Sequence, residues 1–355
     1  MKDKLIKLMY KINLENLMDS YRIFRYKIYP RPVNIINTNE RVSYAGWWSC
    51  NNYENEWLLR FIKLKIKNYE NFDIRFYSVF NDDSEAIKLN CKKYQGKKIF
   101  YFGENLTPYI NHGQAKVNNY YFKRRIDWMI KSYSDYLIPD VDLSLGFADI
   151  SNNKYLRFPL WIFQEDFFPV ESTYNDIKNI IHSVNSTKSI CAKKCICINS
   201  HDGLGLRTKI ADDLESVLDI TYAGKWRNNT SELWDKYDND KLRYMNLFQF
   251  NICSENMNAP DYCSEKIFDS FRAGCIPIYA GSLNNPEPNV INKDSVILWN
   301  LDGDNTENIK LIKRLKSDES FYNKFMQQDK FLPSAAEYIY DRFIKLENKL
   351  KETLS

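Results

Sequence analysis

No apolar run in the chain approaches the roughly 18 residues needed to cross a bilayer as a helix, so nothing in its 355 residues reads as a transmembrane span. No signal peptide precedes the first structured pattern either, and a cytoplasmic setting is the expectation. Charge of one sign is lacking too. Lys and Arg total 50 against 46 Asp and Glu, a net +4 spread evenly along the chain. Nucleic-acid binding, which wants clustered Lys and Arg, is excluded as a leading class. Histidine is scarce, with only His112, His182 and His201. Cys191, Cys195 and Cys197 have the wrong spacing for a zinc knuckle and too few histidines to complete one. Cys253 and Cys275 fall in apolar strand runs, where a thiol behaves as a small hydrophobe. Reduced, buried thiols and no metal site are therefore expected.

What is present is ample material for burial: 44% apolar residues, 15% of the chain aromatic. At this length two domains of about 150 residues are the reasonable expectation. Apolar strand runs come in two series. The first holds Ile74–Phe80, Lys98–Phe102 and Val141–Phe147; the second holds Cys195–Ile198, Leu218–Tyr222, Leu247–Cys253 and Cys275–Ala280. Helical stretches such as Lys209–Val217 and Leu233–Tyr244 separate them, which predicts α/β halves of the doubly wound kind. Polar residues gather just past the carboxyl ends of the strands: Glu104 after Phe102, Ser200, His201 and Arg207 after Ile198, Lys225 and Arg227 after Tyr222, Glu255 and Asn256 after Cys253. Open α/β sheets bind ligands at that edge.

The densest chemistry lies in Phe250–Ser282, FNICSENMNAPDYCSEKIFDSFRAGCIPIYAGS. An apolar strand runs into a Ser-Glu-Asn corner, then a loop, then Tyr262, Ser264, Glu265 and Lys266 at the start of a helix that closes at Gly274. A helix start offers unpaired N–H groups and a positive dipole, which suits a phosphate. Lys266 adds a point charge for the same anion, and Glu265 could accept hydrogen bonds from a ribose. The unit reads as a sugar-nucleotide site. No Asp-x-Asp stands where it would present a metal to a diphosphate: Asp140-Val-Asp142 leads into a strand, and Asp212-Asp213 lies in a helical stretch.

That segment resembles the signature of family 10 glycosyltransferases, the α1,3/4-fucosyltransferases, with their E-N corner, Y-x-[ST]-E-K and A-G-x-x-P-[IV]-Y-x-G-S. Tyr101-Phe-Gly-Glu104-Asn105 is similar to the family's [YF]-x-G-E-N, and Tyr155–Trp161 to its R-x-P-L-W. The resemblance covers residues 70 to 300 and implies a GT-B fold: two Rossmann-like doubly wound domains facing across a cleft. It implies a 41–165 acceptor domain, a 166–190 linker and a 191–325 GDP-sugar domain, with a basic helical extension at 1–40 and a C-terminal helix at 326–355. It further implies an inverting transfer of L-fucose from GDP-fucose to an acceptor oligosaccharide, in glycan or lipopolysaccharide biosynthesis. A relative using another GDP-sugar, or a non-catalytic glycan- or membrane-binding one, is the alternative.

By the same resemblance Glu104 is the catalytic base; its competing reading is a turn carboxylate. Arg207, in Leu-Arg-Thr-Lys-Ile-Ala-Asp-Asp-Leu, matches the diphosphate-binding arginine, and Lys266 the lysine of the Tyr-Ser-Glu-Lys cluster. Fixed cations of this kind replace a metal as stabilisers of a leaving diphosphate, so no cofactor is expected. Glu255, Asn256, Tyr262, Ser264 and Glu265 carry over to the donor site; Lys225 and Arg227 match only loosely. Trp47, Trp48 and His112 are candidates for the acceptor, their competing roles being core packing and a surface loop. Residues 1–31 are basic with Leu5, Leu8, Met9 and Ile12 at helical spacing, which fits either a helix packed on the body or peripheral membrane contact.

Overall fold

The computed structural model describes residues 33–38, 41–48, 52–80 and 84–355. The helix expected within 1–31 lies outside them, as does Cys50. The chain divides into two compact units. One contains the residues up to Pro108, Tyr120–Glu171 and Asp341–Ser355; the other contains Tyr109–Asn119 and Ser172–Tyr340.

The first unit is built on β1 (Ile35–Asn37), β2 (Val42–Ala45), α1 (Trp57–Lys65), β3 (Ile74–Tyr77), α2 (Ser84–Lys93), β4 (Lys97–Tyr101), α3 (Tyr120–Tyr133), β5 (Leu143–Gly146) and β6 (Tyr155–Arg157). Its six strands lie side by side in chain order. β1 pairs antiparallel with β2, Ile36 opposite Tyr44, and every other pairing is parallel. Parallel strands buried on both faces read as continuous apolar runs, which is how β3 and β4 appear in the sequence. β1, β2 and β6 are too short to leave such a signature. On α1, Trp57, Leu58, Phe61 and Ile62 are buried while Lys63 and Lys65 close its last turn. The Trp57 indole donates to the Phe168 carbonyl at 2.9 Å, and Phe343 of the C-terminal helix Ala335–Thr353 packs edge-on against it.

The second unit follows with α4 (Tyr174–Ser186), β7 (Lys193–Cys197), α5 (Leu206–Leu214), β8 (Ile220–Tyr222), α6 (Glu232–Asp235), α7 (Lys241–Met245), β9 (Phe248–Ile252), α8 (Lys266–Arg272), β10 (Ile276–Tyr279), β11 (Ile297–Leu298), α9 (Thr306–Ser317) and α10 (Glu319–Phe325). The single helical stretch expected over Leu233–Tyr244 is broken into α6 and α7. Asp238 and Asn239 take positive φ there, and the Asp240 side chain starts α7 by accepting from Arg243 N at 3.0 Å. The five strands are all parallel, in the order β11-β10-β9-β7-β8. The chain therefore leaves β7 for β8 on one side, then reverses to build β9, β10 and β11 on the other. That reversal makes a topological switch point between β7 and β9, where such sheets receive their ligands. Among the described residues the seven cysteines are free, and all but Cys191 are buried. No described helix is long and apolar enough to cross a membrane.

Candidate active site

Two expected residues meet across the switch point. Arg207 stands at the start of α5, after β7, and Asn256 follows β9. The Arg207 Nη2 donates to Asn256 Oδ1 at 2.7 Å, and Nη1 donates to the His201 carbonyl. Arg207 is 3% exposed, no carboxylate among the described residues pairs with it, and its Nε has no acceptor. Leaving a buried cation without a counter-charge costs several kcal/mol. A fixed guanidinium with an idle N–H has the chemistry to pair with an anion.

What fixes it is Asp202, a residue the sequence reading passed over. Its Oδ1 accepts from the backbone N–H of Gly205 (3.1 Å) and Arg207 (3.3 Å), and its Oδ2 from Thr208 N at 2.7 Å. The carboxylate satisfies the orphan donors that open α5, so this helix start is already occupied by protein charge. The cap position itself is Gly205, so the sequence pattern of an N-cap does not point to Asp202 three residues earlier.

Beside Asn256, Glu255 is buried at 1% exposure. Its carboxylate accepts from Ser264 N (2.7 Å), Ser264 Oγ (2.6 Å), Lys266 Nζ (3.2 Å) and Tyr279 Oη (3.3 Å). Gly281 makes the room: a Cβ there would lie 2.5 Å from Glu255 Cγ. The Ser-Glu corner, the Ser-Glu-Lys cluster and the Ala-Gly-Ser turn are thus one assembly. Glu255 holds Ser264 and Lys266 in place from beneath. Lys266 is also 3.6 Å from Glu265. Burial pushes the Glu265 carboxyl up, but the Lys266 ammonium and nearby donors outweigh it and hold the group below its usual range. Glu265 is ionised at neutral pH and remains able to accept. Tyr262 is fully buried, its carbonyl accepting from Ser282 Oγ at 2.6 Å. His201 is pushed down by burial first and then by Arg207, with Asp202 opposing the shift and Lys266 adding to it.

Lys225 is exposed. Arg227 has its charge spoken for, at 2.6 Å from Asp212 and 2.9 Å from Glu215 on α5, with its guanidinium over the Trp226 ring. Of the two arginines, Arg207 is the one without a carboxylate.

In the first unit Glu104 follows β4 at its carboxyl end and is half-buried. The chain past it is fixed by Asn105, fully buried, whose side chain exchanges hydrogen bonds with the Thr107 backbone at 3.0 Å in each direction. A Cβ on Gly103 would lie 3.3 Å from Leu160, so the Gly-Glu-Asn and Pro-Leu-Trp motifs touch. Trp47, 4% exposed, packs on Tyr44, Phe76 and Tyr101; its ring belongs to the core and offers no open face to a sugar. Trp48 is half-buried, 4.3 Å from the Trp47 ring, its Nε1 donating to Glu56 at 3.2 Å. His112 lies in the Tyr109–Asn119 segment of the second unit. No group of metal-ligating side chains occurs among the described residues.

Residues 185–346 match the glycosyltransferase family 10 (fucosyltransferase) C-terminal domain. A Helicobacter pylori α-(1,3)-fucosyltransferase is 22% identical over a 274-residue alignment covering 68% of this chain and 50% of that protein. The chain thus spans about half the length of that relative. An α-(1,3)-fucosyltransferase B of Drosophila melanogaster is 30% identical over 93 residues, 26% of this chain and 20% of that protein. A crystal structure of an α1,3-fucosyltransferase with GDP-fucose superposes with a TM-score of 0.58 at 19% identity, covering 91% of this chain and 94% of that one. Another with GDP gives 0.54 at 18% identity, covering 89% and 93%. The fold is therefore that of the GT-B class.

Proposed function

We propose, from the match of residues 185–346 to the glycosyltransferase family 10 (fucosyltransferase) C-terminal domain, that this chain is an inverting fucosyltransferase. It takes L-fucose from GDP-fucose and joins it to a hydroxyl of an acceptor glycan by an α1,3 or α1,4 link. The observation that carries this reading is Arg207, a buried cation without a carboxylate, at the switch point of the nucleotide-type sheet.

In this reading Glu104 removes the proton from the acceptor hydroxyl as its oxygen attacks the anomeric carbon. The bond to the GDP oxygen breaks on the opposite face, and configuration inverts in one displacement. Arg207 takes the larger share of the charge growing on the diphosphate, because no carboxylate among the described residues neutralises it. Lys266 is partly balanced by Glu255 and Glu265 and acts as the second cation, while Glu265 serves the nucleoside; Tyr262, fully buried, has no face to offer it. Fixed donors aimed at developing charge supply the role a metal has elsewhere, so transfer is expected to continue in EDTA.

Glu104→Gln tests the assignment. The variant keeps its shape and loses its basicity, so GDP-fucose binding should stay near wild type while turnover falls by roughly 10²–10⁴. Calorimetry with GDP, UDP and CMP tests the donor class separately. Binding of UDP or CMP in place of GDP would sink it.

A further inference from the structure

The segment Tyr109–Asn119 comes from the first half of the sequence yet folds on the second unit, and it lies along the carboxyl edge that holds Arg207. Asn111 N donates to the Asn258 carbonyl at 2.8 Å, beyond β9. Gln114 N donates to the Leu301 carbonyl at 2.9 Å, beyond β11. Asn118 N and Asn119 N donate to the Gly203 carbonyl at 3.0 and 2.9 Å, beyond β7. The fit is backbone to backbone: a Cβ on Gly205 would stand 1.9 Å from the Lys116 carbonyl oxygen. One side chain of this strap reaches the apparatus that positions Arg207. Asn118 Nδ2 donates to Thr208 Oγ1 at 2.8 Å, to the Asp202 carbonyl at 3.1 Å and to Asp202 Oδ2 at 3.3 Å.

We propose that Asn118 is a positioning residue for the anion site, holding the Asp202 carboxylate against the start of α5 so that Arg207 is presented to the diphosphate. This deepens the donor-site reading above and rests on it for its ligand, though not for its geometry. Asp202 already accepts three backbone N–H groups through its two oxygens, two on Oδ1 and one on Oδ2. The Asn118 amide adds a donor to Oδ2 and ties the same residue through its carbonyl. It therefore fixes Asp202 at both ends. No family motif quoted for this chain contains Asn118, and only the folded strap brings it within reach of Asp202.

The sharpest variant is Asn118→Asp, equal in shape but with an acceptor where the donor was, which sets two carboxylates against each other. Asn118→Ala removes the donor alone. Both are examined in the full-length protein by two independent readouts. In ligand-free protein, hydrogen exchange of the Gly205, Arg207 and Thr208 amides should quicken by about tenfold or more in Asn118→Asp, with the β9 amides unchanged, since these amides are held by the carboxylate that moves. Calorimetry should then show GDP binding weakened by about tenfold, the cost of one lost charge-assisted contact. Asn118→Ala, which removes the donor without adding a charge, should move both readouts in the same direction by less. A merely structural strap would instead speed exchange across the whole sheet. Unchanged exchange at the three amides would overturn the inference even if GDP binds as expected. Failure of wild-type protein to bind GDP, with the amides behaving as described, would overturn the donor reading alone.

Discussion

Arg207 belongs to the first turn of α5 while Arg227 reaches Asp212 near its end and Glu215 at its C-cap, and their partners decide what each can do. Arg227 faces two carboxylates and stacks on an indole, so its charge is met inside the protein. Arg207 meets only a carbonyl and an amide oxygen. Neutral acceptors orient a guanidinium without cancelling it, which keeps its field available to a ligand. Arg207→Met should therefore weaken GDP binding by about 1.5–3 kcal/mol, the range for hydrogen bonds to charged groups, or roughly 10- to 150-fold in Kd. Calorimetry on the variant measures it, and a change below threefold would remove Arg207 from the site. The grouping of Glu255, Ser264 and Lys266 was legible in the sequence because a motif fixes their spacing. Asp202, three residues ahead of the Gly205 cap, was not, and neither was Asn118. Its contacts to Asp202 and Thr208 span 84 and 90 residues, and no local pattern encodes a contact so remote.

At the scale of elements, caps and continuous apolar runs were what the sequence declared. The helix over Lys266–Arg272 stops where Gly274 takes φ +76, a turn that glycine adopts without strain. The two- and three-residue strands β1, β6 and β11 were hidden, because so short a run has no period to detect. The other end of α4 shows a cap that no pattern could reveal. Lys330, 3% exposed, donates from Nζ to the carbonyls of Val184 and Thr187 at 2.6 Å and of Asn185 at 3.3 Å, a buried cation at a helix C-terminus. Burial, with the like charge of Lys188, lowers its pKa from 10.5 to about 8. Between those values the unfolded chain binds the proton and the folded one releases it, so this group makes stability rise with pH from about 8 to 10.5. At about 1.4 kcal/mol per unit the rise is on the order of 3 kcal/mol. Denaturant unfolding of wild type and Lys330→Met across that window isolates it, because other titrations cancel in the difference. A difference that stays flat from pH 7.5 to 10.5 would show that Lys330 does not titrate there.

For the molecule as a whole, alternation of strands and helices announced two α/β units, but strand order was beyond the sequence. The first sheet runs in chain order and the second reverses after β8, although both read alike as strings of apolar runs. Order depends on which edge each crossover returns to, and the connecting segments carry no mark of that choice. The reversal has a consequence for the site, since it sets Arg207, at the start of α5, and Asn256, after β9, on the two sides of the switch point. Nucleotide binding should accordingly register as a local event in the second unit. With GDP at about 100 times its Kd, linkage stabilises the binding unit by about 2.7 kcal/mol, so amides that exchange through opening of that unit should slow by roughly 100-fold. Hydrogen exchange should show this effect in β7, β9 and the loops Asn199–Thr208 and Glu255–Lys266, while β3 and β4 of the first unit keep their ligand-free rates. Equal protection of both sheets by GDP alone would place the nucleotide elsewhere than at the switch point, and with it the role given to Arg207.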